Sequence, residues 1–422
     1  MGDFVPSVNF PSFRPSVFPS SRPPVSSIVL IAHLADVHLG FRQYHRQTAG
    51  GINQREADVA RAFRAAVDGV LEARPDAVIL AGDLFNAVRP TNAAIVFAFQ
   101  QLQRLRGGLP DAPIVLIAGN HDTPRSIETG SILRLYEELG VDVAAVEPRR
   151  LLYPALDLSV LAVPHAALIA PERIVLAPEG GERWQVLVLH GEIEGLFPGD
   201  RSAAEYGGAL IDPDVLRREA WSYVALGHYH VQHEVAPEIW YSGALEFVSS
   251  NPWGELAQQK QDGIGGKGWL LVDLESGAVT PQPVPAARMV YDAPRIDAAD
   301  LSPAEVDRKI AARLQGVPGG LADAIVRIVV EKIPRHVVRE LDHSAIRAAK
   351  AEALHLQLEF RRPEAARSVG VGAPGRRQPL PELLADYLGR RPLPERVPRE
   401  RFVGVGVELL NEVEEASPGE GG

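Results

Sequence analysis

Short apolar runs alternate with amphipathic stretches from residue 28 onward, and this alternation limits the possible fold more than any other feature of the chain. Apolar runs bounded by turn residues are typical of buried strands, whereas apolar side chains at helical spacing are typical of amphipathic helices. The predicted elements follow one another as strand 27–36, helix 55–74, strand 76–83, helix 91–106, strand 113–120 and helix 129–139. This order predicts an α/β layer fold.

The chain after residue 140 is richer in strands than in helices. Further strands are predicted in LSVLAVP, WQVLVLHG, SYVALGHYH, EIWYSGAL and KGWLLVDLES. We therefore expect an α/β domain over residues 28–280 that is a mixed β-sandwich flanked by helices, rather than a plain doubly wound sheet.

Changes in composition predict the remaining parts of the chain. PQPVPAA, near residues 281–287, marks a boundary. After it we expect a smaller α+β unit at 285–360, with helices 303–315 and 337–352 and strands 324–333 and 353–360. The other segments are predicted to be a disordered lead-in at 1–27, a Gly/Pro-containing linker at 361–379 and two short helices with apolar stripes at 380–417.

Composition excludes several classes of site. Cysteine is absent from the 422 residues, which excludes disulfides and thiolate metal sites. The absence of cysteine also permits a reducing cytoplasm, which is the expected location. No apolar run reaches the roughly 18 to 20 residues that a membrane span needs, so we expect no membrane insertion. A formal net charge of -11 is not typical of a nucleic-acid binder, although bound divalent metals would add positive charge that a side-chain count omits.

Polar side chains follow five of the predicted strands at the point where each strand ends. These side chains are Asp36 and His38, then Asp83, then Asn120, His121 and Asp122, then His190, and finally His228 and His230. The carboxyl ends of strands in open α/β sheets gather ligands at one edge, so we expect a single site. Imidazole, carboxylate and amide groups are the ligands that borderline divalent metals prefer.

Such a set of ligands predicts hydrolysis at phosphorus. Two cations about 3.5 to 4 Å apart can clamp the attacking and leaving oxygens of a phosphoryl displacement and activate a water. Asp83 is the candidate bridging carboxylate, and His121 is placed to protonate the leaving oxygen as the general acid. Asp122 is expected to orient an imidazole, with a turn residue as an equally weighted alternative. The other seven histidines have no partner spacing and are assigned to the surface or the core: His33, His45, His165, His233, His336, His343 and His355.

The motifs HLADVHLGFRQY, VILAGDLF, VLIAGNHD, ALGHYH and WYSGALEF resemble the calcineurin-like metallophosphoesterase superfamily and, within it, the SbcD-type DNA-repair nucleases. The resemblance covers residues 28–275 and extends more weakly over 285–360 and the tail. It implies a manganese-dependent exo- or endonuclease acting in DNA repair. It also implies that Asp36, His38, Asp83 and His230 bind one metal, that Asp83, Asn120, His190 and His228 bind the other, and that His121 is the acid.

The same resemblance implies partners for the rest of the chain. It makes residues 285–360 a DNA-facing cap, makes residues 380–417 the helices that dock on an SbcC-type, SMC-like ATPase, and suggests a homodimer. One position departs from the family. Asn86 stands where the family commonly has an Asp or His that positions the substrate phosphate, and an amide can hydrogen-bond but supplies no charge. We therefore expect metal binding to persist and substrate positioning to differ.

Two other functions remain open from the sequence. A phosphodiesterase or phosphatase for a small or protein phosphoester would use the same site without a DNA cap. A DNA-tethering subunit would have lost part of its metal ligand set, whereas all seven ligand positions are filled in this chain.

Overall fold

The computed structural model describes residues 28–124, 130–171, 174–196, 207–216, 220–363, 380–391, 393 and 397–416. The predicted lead-in at 1–27 and most of the predicted linker at 361–379 lie outside these residues. The chain forms two compact units, one built from residues up to 296 with 302–329 and 340–359, and one from 297–301, 330–339 and the residues from 360 onward.

Two six-stranded sheets form most of the first unit. In spatial order the first sheet contains β14 (Ala278–Pro283), β13 (Gly268–Asp273), β1 (Leu30–Leu34), β2 (Ala77–Leu80), β3 (Ile114–Ile117) and β4 (Asp142–Ala144). The second sheet contains β11 (His233–Ala236), β12 (Ile239–Tyr241), β10 (Tyr223–Gly227), β7 (Trp184–His190), β6 (Leu158–Val163) and β5 (Arg149–Tyr153). A separate short pair joins β8 (Glu192–Ile193) to β9 (Leu210–Ile211).

Parallel and antiparallel pairs occur in both sheets. β1, β2, β3 and β4 run parallel to one another, and β13 pairs antiparallel with β1. β6, β7, β10 and β12 are likewise parallel. The mixed α/β sandwich expected from the sequence is therefore confirmed, and the parallel strands of each sheet bring their carboxyl ends to one edge.

Alternation of side chains along the strands creates apolar layers on both faces of the first sheet. Residues such as Ile79 and Ile117 of the first sheet pack with Val186 and Ala225 of the second in the layer between the sheets. The opposite face of the first sheet packs against the helices α1 (Gln54–Ala73) and α2 (Asn92–Gly108). Such layered burial is the main stabilising contribution in a domain of this kind.

Local sequence explains where these helices begin and end. Asn53 caps α1 through its side chain, which accepts from the Arg55 amide, and the helix ends at Arg74, whose φ of 48° is left-handed, just before Pro75. Thr91 caps α2 in the same way by accepting from the Ala94 amide. The other α-helices among the described residues are α3 (His165–Leu168), α4 (Pro252–Gln261), α5 (Pro303–Gln315), α6 (Arg335–Arg339), α7 (His343–Glu352), α8 (Leu380–Gly389) and α9 (Arg399–Ala416).

Two helix predictions differ from the structure. The segment expected to be helical at 129–139 forms a 3₁₀ helix over Ile132–Leu139, although Gly140 ends it in a left-handed conformation as predicted. The single helix expected at 337–352 is divided into α6 and α7, because the Asp342 side chain accepts from the amides of Ser344 and Ala345 and starts a new helix there.

The remaining strands are β15 (Val290–Asp292), β16 (Ile296–Asp297), β17 (Ile325–Glu331) and β18 (His355–Phe360). Within the first unit β15 pairs in parallel with β17. Charged contacts tie this part to α1: Arg288 pairs with buried Asp58 at 3.1 Å and with Asp323 at 3.2 Å, and Asp58 also pairs with buried Arg55 at 3.0 Å. Residues 288 and 323 are thereby joined to the sandwich.

The second unit contains a helical hairpin, α8 with α9. Arg399 lies at the start of α9 and donates to the carbonyl oxygens of Gly389 and Arg391 at 2.6 and 2.9 Å. No side chain of α8 is buried. The apolar stripes predicted from the sequence are therefore largely solvent-accessible here.

No helix in the described part of the chain combines the length and the apolar character needed to cross a bilayer.

Candidate metal centre

Loops at the carboxyl ends of five parallel strands supply the candidate site. Asp36, Asp83 and Asn120 follow β1, β2 and β3 of the first sheet, whereas His190 ends β7 and His228 follows β10 of the second. Backbone hydrogen bonds hold adjacent loops together, with the Asp36 amide donating to Gly82 O at 3.1 Å and the His38 amide to Asp83 O at 3.0 Å. The sandwich thus brings side chains from both sheets to one place.

Four of the predicted ligands have unusual backbone conformations. The φ angles of Asp36, His38 and Asp83 are 52°, 53° and 51°, and that of His228 is 100°. Positive φ is costly for residues with a Cβ and persists only where the surroundings enforce it. Four positive φ angles in these loops indicate that the backbone adopts an unfavourable conformation in order to direct the ligand side chains into the site.

Glycines beside the ligands permit the close packing. A Cβ at Gly119 would lie 2.1 Å from Asp83 Oδ1, and a Cβ at Gly82 would lie 2.2 Å from His190 Nδ1. Each glycine therefore leaves space that a ligand side chain fills.

One group of donors contains Asp36, His38 and His230, whose ligand atoms all lie within 4.8 Å of one another. All three side chains are buried. The Nε2 atoms of His38 and His230 approach to 3.2 Å. The Asp36 carboxylate also accepts from the His228 amide at 3.0 and 3.1 Å, which fixes it in the loop.

A second group contains Asp83, Asn120, His190 and His228. His190 Nε2 lies 3.3 Å from Asp83 Oδ2 and 3.0 Å from Asn120 Oδ1, and His228 Nδ1 lies 3.1 Å from the same amide oxygen. Asp83 Oδ2 is also 3.7 Å from His38 Nε2, so this carboxylate faces both groups. The structure therefore brings all seven predicted ligand residues together, with Asp83 between the two sets.

Hydrogen bonding at His190 shows what the site can bind. Nδ1 of His190 donates to the carbonyl oxygen of Ala81 at 2.8 Å, because a carbonyl can only accept. In a neutral ring Nε2 would then direct a lone pair at the Asn120 oxygen and the Asp83 carboxylate. Three lone pairs that face each other are stable only around a proton or a metal cation.

Burial and the neighbouring ionisable groups together shift the pKa values of the site. Burial lowers the pKa of the His190 imidazole, but the Asp83 carboxylate outweighs burial and raises that pKa to about 9. Burial raises the pKa of Asp83, yet His190 and His38 outweigh it and hold the pKa of this carboxyl well below its usual range. Asp36 is different, since burial raises its pKa to about 6. A buried cluster of this kind exchanges protons for cations.

The predicted acid, His121, lies at the partly exposed side of the site. Its amide donates to Asp83 Oδ1 at 2.9 Å and its Nδ1 donates to the backbone oxygen of Asn86 at 2.8 Å. Asn86 therefore orients His121 through its main chain. Any residue at position 86 would supply this backbone carbonyl. The contact with His121 therefore does not depend on the Asn86 side-chain amide.

The Asp122 carboxylate contacts the main chain of two neighbouring loops. It accepts from the amides of Leu84, Phe85 and Gly119 at 2.9, 3.0 and 3.4 Å, rather than orienting an imidazole. These bonds fasten the loop after β2 to the loop after β3. Burial, followed by the nearby Asp83 charge, raises the pKa of Asp122 to about 7.

Two charged residues next to the site were not singled out in the sequence. Glu255 and Lys267 form a buried ion pair beside His230, and their separation in sequence from the ligand motifs explains why spacing did not reveal them. Burial alone would raise the pKa of Glu255, but Lys267 and His230 outweigh it and hold the pKa below its ordinary value. His165, assigned to the surface or core, is buried and contacts Gly207 O at 3.1 Å.

The donor set fits borderline divalent cations. It consists of imidazole nitrogens with carboxylate and amide oxygens, a combination that suits such cations. Asp83 Oδ2 is buried and accepts no hydrogen bond within the described structure, although two imidazoles face it. A buried carboxylate oxygen in that position is accounted for by a cation.

A family model for the calcineurin-like phosphoesterases matches residues 29–232, a span that includes all seven candidate ligands. Residues 29–232 belong to the calcineurin-like phosphoesterase family. In this phosphoesterase domain the ligand-bearing loops are those of the two parallel strand sets described above.

Three curated relatives are each described as DNA double-strand break repair protein Mre11. The protein of Sulfurisphaera tokodaii is 29% identical over 60% of this chain and 62% of its own length. That of Methanocaldococcus jannaschii is 27% identical over 58% of this chain and 63% of its own length. That of Saccharolobus solfataricus is 28% identical, over 58% and 61% respectively. The chain thus spans less than two thirds of the length of these relatives.

Proposed function

We propose that this chain is a two-metal-dependent DNA nuclease that hydrolyses phosphodiester bonds in DNA repair. The observation that carries the proposal is the convergence of seven nitrogen and oxygen donors from five strand ends around Asp83. The printed names of the relatives, which describe DNA double-strand break repair, support DNA as the substrate.

The proposed first metal is held by Asp36, His38, Asp83 and His230. The second is held by Asp83, Asn120, His190 and His228, so that Asp83 bridges the two. Manganese is the proposed ion, on the family resemblance. When bound, two such cations supply Lewis acidity at the phosphoryl oxygens and lower the pKa of an attacking water.

His121 is the proposed general acid. Its proton on Nδ1 is committed to Asn86 O, and its amide is held by Asp83 Oδ1. Nε2 is therefore the ring atom that takes up a second proton and delivers it to the leaving oxygen. Its position at the partly exposed side of the site allows it to reach a bound substrate.

The partners belong to the same proposal. Residues 285–360 would face DNA, and α8 with α9 would bind an SbcC-type, SMC-like ATPase through apolar side chains that are half exposed or more, such as Leu383 at 50% and Leu409 at 56%. A homodimer and a cytoplasmic location complete it, both on the family resemblance.

The test is cleavage of labelled linear and hairpin DNA with Mn²⁺ by the wild-type chain and by His121→Ala. General acids contribute roughly 100- to 10,000-fold, so we expect cleavage to fall by that factor while calorimetry still detects bound Mn²⁺. His45→Ala is the matched control, because His45 is an exposed histidine outside the site. It should cleave at the wild-type rate.

A choice of substrates distinguishes the nuclease from the alternative function, a phosphodiesterase or phosphatase for small or protein phosphoesters. Bis(p-nitrophenyl) phosphate and p-nitrophenyl phosphate report phosphodiesterase and phosphatase activity at the same site. Turnover of either ester without cleavage of any DNA, with or without the ATPase partner, would replace the nuclease with a phosphoesterase for small or protein substrates.

A further inference from the structure

A buried ion pair lies directly behind the imidazole of His230, outside the seven proposed ligands. Glu255 stands in the first turn of α4, and Lys267 directly precedes β13. Their side chains are 0% and 1% exposed, and Lys267 Nζ donates to Glu255 Oε2. Burial of both charged groups carries a desolvation cost, so their position inside the protein needs an explanation.

Both members of the pair contact His230. Glu255 Oε1 lies 3.8 Å from His230 Nδ1, and Lys267 Nζ donates to the His230 carbonyl at 2.7 Å. The opposite ring nitrogen, Nε2, is the one that lies 3.2 Å from His38 Nε2 in the proposed metal site. The ring therefore has its metal-facing nitrogen on one side and the carboxylate on the other.

Stability alone is a weak explanation for this arrangement. Desolvation of two charges offsets most of their attraction, so a buried pair is often no more stable than apolar residues of the same volume. The contacts are also specific: the Glu255 carboxylate is held in place by the Ser249 amide at 2.9 Å, and the His230 carbonyl accepts a second bond from the Ala244 amide at 3.1 Å. Every one of these bonds restricts the position of His230 or of the group behind it.

We propose that Glu255 and Lys267 are positioning residues for His230. Glu255 keeps the ring proton on Nδ1, Lys267 fixes the main chain, and together they direct Nε2 toward the first metal. A carboxylate behind a ligating imidazole sets its tautomer and increases its basicity. The inference rests on the proposed metal site.

His190 offers a comparison within the same site. Its Nδ1 proton is held by the backbone oxygen of Ala81, which is a neutral acceptor. His230 Nδ1 instead faces the Glu255 carboxylate, whose Oε1 is 3.8 Å away. The two metals are therefore expected to differ in their response to a change at position 255.

The test is Glu255→Gln, followed by calorimetric titration with Mn²⁺. The glutamine oxygen should turn to Lys267 and leave its NH₂ group toward His230, which disfavours a proton on Nδ1. We expect one of the two Mn²⁺ sites to weaken by about 10- to 100-fold and the other to keep its affinity. In ¹⁵N NMR of the metal-free protein, the Nδ1–H tautomer of His230 should decrease relative to wild type.

A double variant separates positioning from folding. Glu255→Gln with Lys267→Met removes the unpaired charge, so thermal stability should recover. The weak Mn²⁺ site should stay weak, because no carboxylate stands behind His230. The matched control is Glu246→Gln, a buried glutamate paired with Arg55 at 3.4 Å, which should leave both Mn²⁺ affinities unchanged.

The outcomes distinguish this inference from the proposed function. If wild type binds two Mn²⁺ ions and Glu255→Gln binds both equally well, or if the double variant recovers affinity along with stability, the positioning role is overturned and the metal site stands. If wild type binds no Mn²⁺, the metal site itself fails and the inference fails with it.

Discussion

The metal centre buries ionisable side chains, whereas the α8–α9 hairpin exposes apolar ones. In the centre, ionisable residues such as Asp36 and His230 are completely buried. In the hairpin, apolar residues such as Leu383 and Leu409 are about half exposed. Folding alone would favour the reverse in both places, since apolar groups gain by burial and charges lose by it.

Side chains placed against the preference of folding indicate that both regions bind something else. The centre keeps buried ionisable groups whose nitrogen and oxygen atoms face one another, and cations complete the set in the proposed enzyme. The hairpin keeps exposed apolar surface because, in the proposed complex, another protein covers it. In this proposal the metal centre binds cations and the hairpin binds another protein.

Asp83→Asn should give the largest effect, because Asp83 faces both groups of ligands. The change keeps the shape of the side chain and removes its charge. Loss of metal stabilisation of several kcal/mol corresponds to roughly a 1,000-fold slower cleavage of DNA or of a phosphodiester probe. Calorimetry should find Mn²⁺ binding weakened at both sites. An Asn variant that binds Mn²⁺ normally would mean that Asp83 is no bridge.

The pH dependence of the metal-free protein comes next. The pKa of His190 is raised to about 9 in the folded protein against an ordinary value of 6.5. A raised pKa contributes stability that is fully present below about 6.5 and is lost as the pH rises through about 9. The free energy of unfolding should therefore fall by about 1.4 kcal/mol per pH unit in that window.

Urea unfolding in the presence of EDTA, between pH 6 and pH 9.5, measures this change. His190→Gln should flatten the part of the profile above about pH 7, because the other raised pKa values of the site, those of Asp36 and Asp122, lie at about 6 and about 7. Mn²⁺ should also remove the decline by replacing the proton. A wild-type profile as flat as that of His190→Gln would contradict the ion pair with Asp83.

Arg288→Gln should have a smaller effect, on stability alone. It removes one partner of buried Asp58, which keeps Arg55 at 3.0 Å, so we expect a loss of about 1 to 3 kcal/mol in urea unfolding. The matched control is Lys332→Gln, whose exposed pair with Asp297 should contribute less to stability than the Arg288 pair. Equal losses in the two variants would mean that burial does not strengthen the Arg288 contact.

Local sequence predicted the elements and the strand-end clusters, because strand periodicity and turn chemistry are encoded within a few residues. It did not predict contacts that depend on packing between distant segments. Glu255 and Lys267 reach His230 only because α4 and β13 pack beside the loop after β10. Asp122 bonds to the amides of Leu84 and Phe85, which are distant in sequence, and Asn86 acts through its carbonyl, which no side-chain type indicates.

The hairpin should give the smallest effect on the isolated protein. Leu383→Lys and Leu409→Lys replace half-exposed side chains, so each should change the free energy of unfolding by less than about 0.5 kcal/mol and leave phosphodiester turnover unchanged. Binding of an SMC-like ATPase, measured by calorimetry, should weaken more than about tenfold, because central apolar contacts carry most of the binding energy of such interfaces. Leu152→Lys, at an apolar site 53% exposed on β5, is the control and should leave that binding intact. A large loss of stability in Leu383→Lys would instead mean that the stripe covers the protein's own core, and the contrast between the two regions would then disappear.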